Sequence, residues 1–202
     1  MKLFLASGSP RRLELLKASG YRPLRVEQLA DEATIAGERA ADYVRRLAEE
    51  KALDAISRLR PSLKRGEEGV ILAADTAVVL DGQVLGKPAD ATEALAGLIA
   101  LRGRTHEVLT GVALRRTAPP CASHAAVERT IVQFNHFPDA EAHAYVAGGT
   151  VYDKAGGYGL QEIPPDWIAR VDGLSSNVIG LPVERLPDWF VEIKINPEEL
   201  RD

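Results

Sequence analysis

Short uninterrupted apolar runs alternate along this chain with longer stretches whose apolar positions recur at helical spacing. Leu3 to Ala6 is a run of strand length that meets a Ser-Gly-Ser turn. Pro10 then stands where a helix begins, with Ser9 as the expected N-cap and Gly20 as the expected stop. Residues 22–26 predict a second strand, and 27–37 form a polar, acidic segment containing Asp31 and Glu32. A long helix is predicted from Glu38 to Leu59, ended by Pro61, with Ala40, Tyr43, Val44 and Leu47 on its inward stripe. The stripe continues to Lys51 and Ala55. A lysine there either snorkels to the rim or points into a polar cavity.

After a charged loop over 61–68, Val70 to Ala74 is apolar throughout, as in a strand covered on both faces, and its expected end is Asp75-Thr76. A carboxylate at the C-terminal edge of a buried strand is where open α/β sheets place their chemistry. Residues 77–80 and 83–85 predict a hairpin around the two-residue turn Asp81-Gly82. Lys87 follows in an extended pre-proline position. Asp90 is the expected cap of a helix to Leu101, and two long strands, 105–115 and 126–134, flank a loop with Pro119, Pro120 and Cys121. A helix over 139–146, a glycine-rich segment over 148–161, a strand over 167–171, a turn over 173–177 and a last helix ending before Asn196 complete the chain. The alternation predicts a mixed α/β fold without repeats or disordered linkers.

Composition narrows the function. The 202 residues can bury a full core, as one domain or two closely joined lobes. A net charge of −4 argues against a general nucleic-acid binder, so any basic cluster is local. A single cysteine, Cys121, excludes an internal disulfide and a cysteine zinc site. The apolar run at the N-terminus is too short for a signal peptide and nothing later is long enough to span a membrane, which predicts a cytoplasmic protein.

The candidate chemistry lies at element ends. Arg11 and Arg12 fall in the first turn of a helix, where the macrodipole disfavours cations. They are either solvated charges or part of an anion site built on free N–H groups and the neighbouring serines. Lys51, Lys87 and Lys154 would extend that site along a polyphosphate, and Glu32 and Asp75 are hard oxygen ligands suited to magnesium or manganese. Each residue alone reads equally as a surface ion-pair partner. There is no phosphate-binding G-x-x-x-x-G-K-[ST], no G-x-G-x-x-G, no H-E-x-x-H and no G-x-S-x-G, and His106, His124, His136 and His143 lack metal-ligand spacing.

Ordered motifs carry a resemblance. S-G-S-P-R-R at 7–12, Y-V-R-R-L-A-x-E-K at 43–51, A-D-T-x-V at 74–78 and G-K-P at 86–88 are similar to the Maf family, as are L-x-G-x-x-H-x-V-x-T-G at 101–111, D-K-A-G-x-Y-G-x-Q at 153–161 and G-L-P at 180–182. The resemblance spans nearly the whole chain. It implies a Maf/ITPase-like fold, a single domain over 1–202 with an elongated mixed sheet and two lobes around a central cleft. It implies a homodimer that cleaves nucleoside triphosphates between the α and β phosphates with Mg²⁺ or Mn²⁺, a family first noticed for an association with septum formation. It assigns Asp75 as proton acceptor, places Ser7, Arg11, Arg12, Glu32, Lys51 and Lys87 around phosphates and metal, and associates Arg11, Thr76 and Gln161 with base selection. The D-K-A-G-x-Y-G-x-Q form resembles the branch acting on dTTP and UTP; 7-methyl-GTP, CTP and a non-catalytic nucleotide-binding role in division are the alternatives. A glutamine amide, offering donor and acceptor, suits the O4 and N3–H edge of a pyrimidine, but Gln161 also suits a turn. Tyr158 fits either a base stack or the core. Two positions depart from the family pattern near the implied base pocket: Thr150-Val151 replaces Glu-Pro, and Glu162 replaces glycine.

Overall fold

The first apolar run forms strand β1 (Lys2–Ala6), and the chain turns through Ser7–Ser9 into helix α1 (Pro10–Ala18). The computed structural model describes residues 1–64, 67–119 and 121–201. The parts of the expected loops that fall on Arg65, Gly66 and Pro120 lie outside the described residues. Ser9 has the extended backbone of an N-cap, but its side chain caps nothing. Instead the Ser7 hydroxyl accepts from the Ser9 N–H at 3.2 Å, which leaves the first-turn amides of α1 without a side-chain cap.

Strand β2 (Pro23–Arg25) runs parallel to β1, and the chain from Val26 to Arg39 has no helix or strand before α2 (Ala40–Leu59) begins. Strand β3 (Gly69–Leu80) is the axis of the molecule. It does not stop at Asp75, as its polar pair suggests, because strand β5 (Thr105–Arg116) pairs with it residue by residue from Val70 to Val79 and carries the ladder through. The hairpin to β4 (Gln83–Leu85) forms as expected. Asp81 and Gly82 both take positive φ, 51° and 78°, the geometry a tight two-residue turn requires.

Asp90 caps α3 (Ala91–Leu101) by accepting from the Glu93 N–H at 2.9 Å. Strand β6 (Ser123–Phe134), helix α4 (Asp139–Ala147) and strand β7 (Ile168–Asp172) follow. The segment expected as a turn at 173–177 holds a short helix, α5 (Ser175–Ile179), because the Asn177 amide is buried and donates to the Val108 carbonyl and the Thr130 hydroxyl, both at 3.0 Å. The expected last helix is a 3-10 turn at Val183–Arg185 followed by α6 (Leu186–Glu192).

The sheet order is β2-β1-β3-β5-β6-β7, with β4 pairing β3; β1 is parallel to β2 and β3, and the other pairs are antiparallel. No helix among the described residues is long and apolar enough to cross a membrane. One large apolar cluster joins β1, β3 and β5 to α1 and α6 through Leu5, Leu16, Leu72 and Phe190. Another surrounds Phe134, Phe137 and Trp167, with the last two rings stacked 3.8 Å apart. On the α2 face small residues meet: Ala48, Ala52 and Ala55 against Ala73 and Ala113. There α2 comes so close that a Cβ on Gly111 would lie 2.2 Å from the Val44 carbonyl oxygen.

Candidate active site

The site opens at a gap in the edge of β3. β1 pairs with that edge only as far as Ala73, and β4 takes it up again at Val78. Asp75 and Thr76 lie in the gap, opposite Gly111 and Thr110 on the other edge. Successive side chains of a strand point to opposite faces, so Asp75 shares the face of α2 and Thr76 faces the Gly180 segment. The gap joins both faces in one cavity of about 340 Å³, lined among others by Ser7, Arg11, Lys51, Lys87 and Gln161. Arg12, Glu32, Asp75, Thr76 and Lys154 line it too, so every candidate side chain of the sequence analysis meets there.

Lys51 is the hub. The helical stripe carries it inward to 4% exposure, and its Nζ lies 2.6 Å from Asp75 Oδ1 and 2.6 Å from Glu32 Oε1. It points into a polar cavity rather than snorkelling to the rim. Lys87 approaches Glu32 Oε2 at 3.7 Å. Burial alone raises the Glu32 carboxyl, but the Lys51 hydrogen bond and the charges of Lys51, Lys87 and Arg12 outweigh it and hold it below its ordinary value. The two carboxylates converge on one ammonium, so their oxygens face a common space. They are hard donors, and two of them with phosphate oxygens and water make an ordinary magnesium set. Among the described residues no larger cluster of histidine, cysteine or acid side chains could hold a metal.

The two arginines differ. Arg11 Nη1 pairs with Asp153 Oδ2 at 2.7 Å and stays partly exposed at the cleft. Arg12 is turned inward and donates to the carbonyls of Gly180 (2.9 Å) and Ala74 (2.7 Å) and to the hydroxyls of Ser7 and Thr76 (both 3.1 Å). A guanidinium has five N–H groups, so nearly all of its donors are spent on protein. Burial lowers it from its ordinary value, against the charge of Asp75. Thr76 Oγ1 continues the chain to Thr110 Oγ1 at 3.0 Å, which donates to the Asn177 carbonyl at 3.1 Å.

Gln161 is exposed at the opposite wall, and among the described residues its amide has no hydrogen-bond partner. Tyr158 lines the same wall but is 5% exposed, a core ring whose hydroxyl meets His106 Nε2 at 2.7 Å. Burial pushes His106 down to about 4 from an ordinary 6.5. Between those values the unfolded chain binds the additional proton, so acidification through this window removes stability, on the order of 2 kcal/mol by pH 5. His106→Gln should therefore shrink the difference between urea-unfolding free energies at pH 7 and pH 5. An unchanged difference would assign the acid sensitivity to other groups.

Sequence reasoning missed several lining residues. Gln28 had no signal beyond lying in a polar segment. Val78, Val108 and Val178, which give the wall an apolar face, are indistinguishable from core positions in sequence. Arg25, which does not line the cavity but whose Nη2 holds the carbonyl of the lining residue Gly8 at 3.0 Å, also went unread.

A family model described as Maf-like protein matches residues 2–193. A protein from Alcanivorax borkumensis named dTTP/UTP pyrophosphatase is 44% identical over 194 residues, covering 94% of this chain and 95% of its own. Proteins of the same name from Anaeromyxobacter dehalogenans (47% identical, covering 90% of this chain and 89% of theirs) and Syntrophomonas wolfei (40%, 90% and 92%) match similarly. Among solved structures, a HAM1 protein from Coxiella burnetii aligns over 95% of this chain and 99% of its own, at 15% identity and a TM-score of 0.47.

Proposed function

The chain belongs to the family of Maf-like proteins, and on that premise we propose that it hydrolyses dTTP and UTP to the monophosphate and pyrophosphate. The observation that carries the reading is the joint placement of Lys51, Asp75 and Glu32 with Lys87 beside Glu32 and with Arg11, at the uncapped end of α1, lining the same cavity. Arg11, Lys87 and the first-turn amides of α1 would bind the triphosphate tail, since a helix N-terminus and cations lining a cleft favour anions. Arg12 acts from behind, fixing the Ser7 loop and adding positive charge. Asp75 takes the proton of the attacking water, held by Lys51 so that its carboxylate is already aimed. Glu32 and Asp75 would hold a divalent metal, which polarises the phosphoryl group and neutralises charge when bound. The segmented core, joined through β3, supports reading 1–202 as one domain of two lobes.

Pyrophosphate release from dTTP, UTP, CTP and 7-methyl-GTP with magnesium or manganese tests the proposal. Turnover is expected to be highest with dTTP and UTP and to stop on addition of EDTA. Release from none of the four removes the enzymatic reading, and faster turnover of 7-methyl-GTP moves the protein to the other branch.

A further inference from the structure

Lys154 sits at 5% exposure in the cavity wall that carries Gln161, and three acceptors surround it. Its Nζ meets Asp153 Oδ1 at 2.9 Å and Glu162 Oε2 at 3.0 Å and donates to the Thr150 carbonyl. An ammonium has three N–H groups, so the set is complete. Asp153 turns its other oxygen to Arg11, at 2.7 Å. A chain of four charges, Glu162–Lys154–Asp153–Arg11, thus runs from the wall bearing Gln161 to the helix that faces the phosphates.

Glu162 closes this chain next to Gln161. The turn from Gly159 to Glu162 is tied at the backbone, with the Glu162 N–H donating to the Gly159 carbonyl at 2.9 Å, and Gly159 N–H donates to the Tyr145 hydroxyl at 3.2 Å. The stem of Lys154 lies flat against Gly159: a Cβ there would sit 2.8 Å from Lys154 Cε. The turn is therefore fastened through its backbone and through the Glu162 carboxylate, while the Gln161 amide between those fastenings is unengaged. A charge-assisted bond to a buried ammonium is a strong tether for an exposed turn.

We propose that Glu162 is a positioning residue, which through Lys154 holds the Gln161 amide at the cleft wall and so sets selection of the base. The proposal rests on the nucleotide reading above and on Gln161 as the group that meets the base. Glu162→Gln keeps the shape and removes the charge. It should raise KM for UTP about tenfold, a fold-change of the size a weakened charged hydrogen bond gives. The preference for UTP over ATP should shrink in step, and turnover at saturation should change by less than about twofold. Inorganic triphosphate, which has the tail and no base, should inhibit both proteins equally. Because Glu162 acts through Gln161, the double variant with Gln161→Ala should be no worse than Gln161→Ala alone. Wild-type KM in Glu162→Gln, inhibition by triphosphate that weakens alongside KM, or additive losses in the double variant would each overturn the proposal. A UTP preference that survives Gln161→Ala would instead overturn the base-reading role of Gln161 itself.

Discussion

Asp75→Asn is expected to lower turnover of UTP and dTTP by a factor of about 10³, within the range that a positioned general base contributes. The substitution conserves shape, and an asparagine carbonyl can still accept from Lys51, which also keeps its 2.6 Å contact to Glu32. The buried lysine is not orphaned, so the several-kcal/mol penalty of stripping a buried charge of its partner does not apply in full. Far-UV circular dichroism and a thermal melt should therefore stay close to wild type while the rate collapses. Full activity in a folded Asp75→Asn protein would mean that another group accepts the proton.

Gly111→Ala is expected to cost about 3 kcal/mol of stability or more, the upper end of overpacking penalties. The added Cβ would meet the Val44 carbonyl oxygen at 2.2 Å, its carbon at 2.4 Å and the Arg45 nitrogen at 2.7 Å. All three are backbone atoms, so no side chain can swing aside and α2 must lift from the sheet. Lys51 is on that helix, and Gly111 stands directly opposite Asp75 in the ladder. Lifting α2 separates the hub from its carboxylate, and a displacement near 1 Å costs about 10²-fold in rate. Urea unfolding and steady-state kinetics should report both losses together. Stability within about 0.5 kcal/mol of wild type, the size of an ordinary surface substitution, would show that α2 can adjust at little cost.

Where the physics is local, the sequence was readable. The helical stripe through Lys51 put a lysine on an inward position, which the structure resolves in favour of a polar cavity, and two arginines at the wrong end of a helix dipole raised an anion site beside the reading as solvated charges. Asp81-Gly82 specified its turn and Asp90 its cap. What escaped depends on partners far along the chain. Nothing near Arg12 shows that the carbonyls of Ala74 and Gly180 will consume its donors. The polar pair Asp75-Thr76 looked like a strand end because the ladder that carries β3 through it comes from β5, more than thirty residues later. Gly111 did leave a trace, since an isolated glycine within a strand often marks a close backbone approach. The burial of Asn177 left none, and a turn was the natural expectation for its segment.

The interrupted edge of β3 divides the labour of adaptation. Asp75 rides on a strand pinned beyond both ends of the interruption and along its whole opposite side, so it has no freedom to follow an incoming molecule. Glu32 belongs to a coil with no regular hydrogen-bond ladder to restrain it. Any adjustment between the two carboxylates therefore falls to the Glu32 coil, above an anvil that stays still.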